Sequence, residues 1–160
     1  MLNYIKHYIL VILTLTTFLQ SEEPLSIGFW NAENLFDLEN DPNKNDDEFS
    51  IGGRKNVTQE IYDLKIRHCS EVLFDLDTDI LGLCEIENSK VLNDLNTAYI
   101  ERDYSVIHYE SPDNRGIDNA LFYDKNRFSV ISSKAILNTL ENGRNTRDIL
   151  YVEGKFQNKV

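Results

Sequence analysis

The sequence predicts a mixed α/β protein of the α+β type, folded as one domain, and three observations predict it. Two apolar runs, Ser26-Ile27-Gly28-Phe29-Trp30 and Ile80-Leu81-Gly82-Leu83-Cys84, are long enough for a strand and too short for a helix, so they read as strands covered on both faces. Between them Tyr62, Ile66, Cys69, Leu73 and Leu76 recur at steps of four and three, which is one face of an amphipathic helix. Beyond residue 104 the periodicity shortens and β segments follow one another, separated by turn residues. A chain of 160 residues suits one domain better than two.

Taken in order, a first strand ends near Asn31, and residues 37–55 form a loop rich in Asp, Asn and Gly with little to bury, expected at the surface. Asn56 or Thr58 caps the helix that follows. A strand over 78–84 comes next, then a short helix opening at Ser89 and carrying Val91, Leu92 and Leu95. Segments 104–109, 119–123, 128–137 and 149–156 read as strands, with Ser111-Pro112-Asp113-Asn114 and Glu141-Asn142-Gly143 as turns. No closing helix follows the last strand, so an exposed edge is expected there.

Residues 1–21 carry a cationic start at Lys6, a short apolar stretch and a polar end at Gln20-Ser21, the pattern of a secretory signal. It predicts a secreted or periplasmic protein with no stable membrane association after cleavage; a retained N-terminal anchor is the alternative. With that segment set aside, 27 acids face 15 bases, a net charge of −12. Such a balance argues against nucleic-acid binding through a broad basic face, while a divalent ion can still invert the sign inside one pocket. Cys69 and Cys84 fall on a helix and a central strand and are expected as buried thiols.

Two side chains stand where strands leave the core. Asn31 offers an amide oxygen to a hard cation or an amide nitrogen to a phosphate oxygen; otherwise it satisfies its own turn. The Glu85 carboxylate, following an apolar run, wants a cation, which is either a metal or a neighbouring Arg or Lys. Glu87 is expected on the opposite face as a solvated neighbour. Residues 41–48, Asp-Pro-Asn-Lys-Asn-Asp-Asp-Glu, hint at a calcium loop, but Asp46 stands where Gly is required, so a solvated acidic loop is the main reading and loose divalent binding the minor one. Arg115 and Arg147 sit in turns leading into strands, and each either clamps a phosphate or pairs with an adjacent Asp. His68 and His108 read as structural or surface residues. No Ser-His-Asp arrangement, zinc spacing or phosphate-cradling glycine loop is present.

The order of these pieces is more specific than any one of them. Asn31 with Asn34-Leu35-Phe36, Asp46-Asp47-Glu48-Phe49, the strand ending at Glu85 with Glu87-Asn88, Ser111-Pro112-Asp113-Asn114-Arg115-Gly116-Ile117-Asp118, and Thr146-Arg147-Asp148 together resemble the endonuclease/exonuclease/phosphatase family, in its secreted bacterial branch. The resemblance implies a four-layered α/β sandwich, two mixed sheets face to face with outer helices, incomplete here: residues 22–160 would be the N-terminal part of the domain, truncated. It implies hydrolysis of phosphodiester or phosphomonoester bonds with Mg2+ or Mn2+. Asn31, Glu85 and Arg147 become the catalytic set, Asn31 and Glu85 the metal ligands, and Arg115 and Asp118 members of the substrate region. The substrate would be a phosphoester, with nucleic acid or a nucleotide as candidates. Cys84 stands where many relatives have Gln, and Asn119 where an apolar residue is usual, which is expected to weaken packing. The family's phosphate-contacting His, Asp-x-Asn and Asp-His motifs do not follow Arg147, so a complementing C-terminal fragment is the implied partner, and a secreted non-catalytic remnant or phosphate- or metal-binding module the alternative.

Overall fold

The computed structural model describes residues 23–156; the expected signal segment lies outside them. The elements follow as β1 (Ile27–Leu35), α1 (Gln59–Leu76), β2 (Ile80–Ile86), α2 (Ser89–Ala98), β3 (Tyr104–His108), β4 (Asp118–Asp124), β5 (Phe128–Ile136) and β6 (Ile149–Phe156). Four strands form one mixed sheet in the order β1-β2-β4-β3, with β1 and β2 parallel and the remaining pairs antiparallel; β5 and β6 form a separate antiparallel pair. Mixed α/β architecture with two sheets is thus as the sequence predicts.

Each helix opens on a side-chain cap, Thr58 of the two candidates for α1 and Asn88 for α2. The Thr58 hydroxyl accepts the Ile61 N–H at the start of α1, and the Asn88 side chain accepts the Val91 N–H at the start of α2. Helix α1 buries Tyr62, Ile66, Cys69 and Leu73, but Leu76 is partly exposed, because Asp77 turns left-handed and ends the helix one residue later. The core lies between these helices and one face of the sheet: Leu35, Leu81, Leu83, Ala120, Phe122 and Tyr104 pack against Leu73, Val91, Leu92 and Leu95.

The opposite face is covered unevenly. Gly82 lies under the Phe29 ring, so close that a Cβ there would come within 2.9 Å of it. The β5–β6 pair approaches this face through the Tyr123–Phe128 edge contact and a bond from Asn119 Nδ2 to the Asp148 carbonyl. Coverage on both faces holds for β2 but not for β1, an edge strand whose Ile27 and Phe29 are 69% and 72% exposed. Among the described residues strand β6 pairs with β5 alone.

At the entry end of β2, Asp79 ties the sheet together. Its carboxylate accepts from the Ser26 backbone and hydroxyl and from Arg102 and Arg127. Cys69 and Cys84 are both buried free thiols, and burial pushes both up from the usual thiol range. Among the described residues no helix is long and apolar enough to cross a membrane.

Candidate active site at the ends of the parallel strands

Strands β1 and β2 run in register from Ile27 opposite Ile80 to Asn31 opposite Cys84, then lose it until Leu35 meets Ile86. On its other side β2 skips as well, since Cys84 faces Asn119 and Ile86 faces Asp118. Glu85 is therefore the extra residue of a β-bulge, unpaired in either ladder, with a left-handed φ of 62°. Glu33 and Asn34 opposite share that conformation, at 53° and 58°. A left-handed non-glycine residue costs about 1–2 kcal/mol, and bulges re-aim side chains at sites. The sequence stops the strand at residue 84; the structure continues it through the bulge to Ile86.

Lys65 of α1 pins the opposing turn. Its Nζ donates to the Glu33 and Asn34 carbonyls, each at 2.8 Å, and burial lowers its pKa. Sequence reasoning missed it, because a lone lysine on a helix resembles a solvated one. Asn31 accepts the Glu33 N–H on Oδ1 at 2.8 Å, the turn-satisfying arrangement, which leaves a second lone pair on that oxygen. It borders a cleft of about 340 Å3 between β1 and α1, lined also by Trp30, Lys65, His68 and Cys69.

Arg147 reaches the bulge from the segment before β6, placing Nη1 at 3.4 Å from Glu85 Oε1. Its partner is Glu85 rather than the adjacent Asp148. Arg115 binds Asp113 through Nε and Nη2, and Asp113 also accepts from the Thr146 hydroxyl, so one carboxylate links both arginine-bearing segments. Burial acts to raise the Asp113 pKa, but the bonds from Arg115 and Thr146 outweigh it and hold it at about 2. Cys84, Asn119, Asn138, Thr146, Arg147 and Asp148 line a cleft of about 390 Å3 beside Phe29. Asn119 does not simply weaken packing, since it joins β4 to that cleft's wall.

Asp118 is 1% exposed, and its carboxylate accepts the Ser111 N–H at 2.8 Å and contacts His108 Nε2 at 3.0 Å. It anchors the loop bearing Arg115 rather than presenting an oxygen to the cleft. Glu110 completes a group with His108 and Asp118 whose donor atoms lie within 4.8 Å of one another. Burial, then the neighbouring Asp118, raises the Glu110 pKa. His108, read from sequence as structural or surface, is the structural case.

Glu87 corrects the sequence reading. It is 7% exposed rather than solvated, and its Oε2 accepts the Asp37 N–H at 2.5 Å. The bulge at Glu85 brings Ile86 onto the core face with Leu81 and Leu83, and Glu87, one residue past the end of β2, is held inside by the chain that follows β1: its N–H donates to the Leu35 carbonyl and its carboxylate takes the Asp37 N–H. The 37–55 loop is likewise not all surface, for Asp37, Asp46 and Ser50 are buried.

The chain belongs to the endonuclease/exonuclease/phosphatase family, a family of phosphoesterases, whose model matches residues 26–160. It is similar to the crystal structure of an endonuclease/exonuclease/phosphatase from Bacteroides vulgatus, at 17% identity and a TM-score of 0.43, covering 72% of this chain and 37% of that one. It is also similar to the human Nocturnin catalytic domain with bound sulfate, at 21% identity, a TM-score of 0.42 and coverage of 66% and 40%. A mannosyl-6-phosphatase from Bacteroides thetaiotaomicron gives 17%, 0.44, and coverage of 72% and 37%. The chain thus spans 37–40% of the length of these structures. No curated protein matches the sequence.

Proposed function

We propose that the chain acts in divalent-metal-dependent phosphoester hydrolysis, of the nuclease-like phosphodiester type, with Asn31 and Glu85 as ligands of Mg2+ or Mn2+. The observation that carries this reading is the meeting of Glu85 and Arg147 at a strained bulge beside Asn31. The donor set suits a hard cation: a carboxylate and an amide oxygen with a free lone pair sit on adjacent strands, and Mg2+ keeps its remaining positions for water and phosphate. When bound, such an ion offsets phosphate charge and lowers the pKa of its water.

The chain's own residues supply the rest. Arg147 exchanges its contact with Glu85 for a phosphate oxygen, and the guanidinium, a planar fork of donors, meets charge as it grows on the leaving group. Arg115, held at its Nε and Nη2 by Asp113, keeps its remaining donors for a second oxygen. His108 and Asp118 position the Arg115 loop.

A second reading rests on one observation: among the described residues, the cleft that Arg147 lines holds no histidine to act as a general base, and His68 borders the separate cleft beside Asn31. On that reading the chain is a phosphate- or metal-binding module without turnover. Export from the cell, read from residues 1–21, is part of the proposal in either case. Hydrolysis of a generic phosphodiester by the full chain, dependent on Mg2+ and lost in Glu85→Ala, is the result expected of the first reading. Calorimetric binding of Mg2+ and a nucleotide without hydrolysis is the result expected of the second, and no binding at all overturns both.

A further inference from the structure

Three side chains able to ligate a metal converge where β3 ends and β4 begins. His108 closes β3, Asp118 opens β4, and Glu110 stands two residues beyond His108. The antiparallel register sets His108 opposite Ala120, so the two strand ends meet at the mouth of the loop that carries Asp113 and Arg115. One donor atom from each of the three lies within 4.8 Å of the other two, and among the described residues no other group of His, Cys, Asp or Glu is gathered in this way.

The spacing and the surroundings suit an ion. His108 Nε2 stands 3.0 Å from Asp118 Oδ2. Nitrogen and oxygen ligands at about 2.0–2.1 Å from a tetrahedral Zn2+ lie about 3.3 Å apart, so this pair has only to part slightly to admit one. Glu110 is exposed and can rotate into the third position without disturbing the core. The other Asp118 oxygen takes the Ser111 N–H at 2.8 Å, the kind of outer bond that orients a ligating carboxylate. No cation of the chain fills the place: among the described residues neither Glu110 nor Asp118 has a Lys or Arg ion-pair partner, and Lys44 spends its ammonium on the Ser111 and Asp113 carbonyls, each at 3.0 Å. With side-chain exposures of 8% and 2%, His108 and Asp118 are screened from water, while Glu110 leaves one side open to an entering ion.

We infer that His108, Glu110 and Asp118 bind Zn2+, at a centre separate from the ion assigned to Asn31 and Glu85. The imidazole decides the metal. Mg2+ and Ca2+ take oxygen ligands, whereas Zn2+ takes imidazole together with carboxylates and keeps a fourth position for water when the protein supplies three. Bound there, the ion ties together the two ends of residues 109–117 and holds in place the loop on which Asp113 and Arg115 sit. It tightens an anchor that the His108–Asp118 contact already makes. A bare His108–Asp118 ion pair without metal is the competing arrangement.

The test uses the full chain, stripped with a chelator and held near neutral pH in a phosphine reductant with excess MgCl2, which occupies the site assigned to Asn31 and Glu85. Titration with ZnCl2, followed by calorimetry and by thermal melting, is expected to reveal a site and to raise the Tm. Glu110→Gln, a change at an exposed position, is expected to weaken that site by roughly tenfold or more, since even outer-shell partners are worth about 10–100-fold in metal affinity. His108→Gln is expected to do the same, and Glu85→Gln and His68→Gln to keep the site. CoCl2 in place of ZnCl2 is expected to give the visible absorption of a tetrahedral site without the intense near-ultraviolet band of a cobalt–thiolate bond. A wild-type chain that takes up no Zn2+ overturns the inference in favour of the bare ion pair, whether or not the variants fold. Equal Zn2+ affinity in wild type and Glu110→Gln overturns it too, as does loss of the site in Glu85→Gln or a thiolate band that assigns the metal to cysteine.

Discussion

Glu85 and Arg147 stand 62 residues apart in sequence, yet their side chains meet at 3.4 Å where the β2 bulge faces the segment before β6. Each is only partly buried, at 18% and 26% side-chain exposure, so the contact can open to admit a ligand. A pair of this kind contributes little stability, about 1 kcal/mol or less. Its proximity matters instead for what lies between the two groups when phosphate or metal binds.

Glu85→Gln should accordingly weaken Mn2+ binding, and Arg147→Met should weaken inorganic phosphate binding, each by roughly tenfold or more, since a charge-assisted hydrogen bond is worth about 1.5–3 kcal/mol. Neither should move the urea midpoint greatly. Calorimetric titration of the two variants checks this; unchanged phosphate affinity in Arg147→Met removes that residue from the site.

Lys65 holds the carbonyls of two consecutive left-handed residues. Lys65→Met should destabilise the chain by about 1–3 kcal/mol, the cost of leaving such groups without a donor. Amide exchange should quicken first near Glu33 and Asn34. If urea melts and exchange match the wild type, the turn holds itself.

Glu87 gives a pH dependence of one sign. Burial, and then the Asp37 and Asp46 carboxylates, raise its pKa to about 8 against the opposing Asp37 N–H bond. In the unfolded chain it ionises near ~4.3. Because the folded pKa is the higher one, its contribution to stability is complete below about pH 4 and is lost as pH rises towards 8 in metal-free buffer. Glu87→Gln should flatten that slope, as followed by Tm against pH.

Asp79 gives the opposite sign. Burial alone would raise its pKa, but the Ser26 backbone bond and those from Arg102 and Arg127 outweigh it and lower it to about 2. Its contribution is present above the unfolded value of ~3.9 and disappears as pH falls towards 2. Acid unfolding should therefore set in through this range, and Asp79→Asn should lower stability at neutral pH while removing part of the acid dependence.

How much of this was legible in the sequence follows from the range of each signal. Helix α1 and its cap at Thr58 are local, because periodicity and the cap bond span only a few residues. Asn31, Glu85 and Arg147 were singled out as strand-end and turn residues, together with the order of motifs that marks the family. Glu87 is misplaced by the sequence because it lies past the end of β2, and what buries it is the distant Asp37 segment whose N–H its carboxylate takes. Asp46 was read as solvated because a polar loop has no periodicity to reveal which of its carboxylates turns inward.

The sequence by itself determined the element order, the buried helix face, the two free buried thiols and the family, since each is written in local pattern or in the order of short motifs. Only the tertiary structure decided that Arg147 meets Glu85, that Lys65 braces the opposing turn, that Asp118 is turned to His108, and that Glu87 takes the Asp37 N–H in the interior. Those are contacts between groups distant in sequence. Their geometry depends on strand register and on a one-residue bulge, and neither leaves a periodic trace for a reader of sequence to follow.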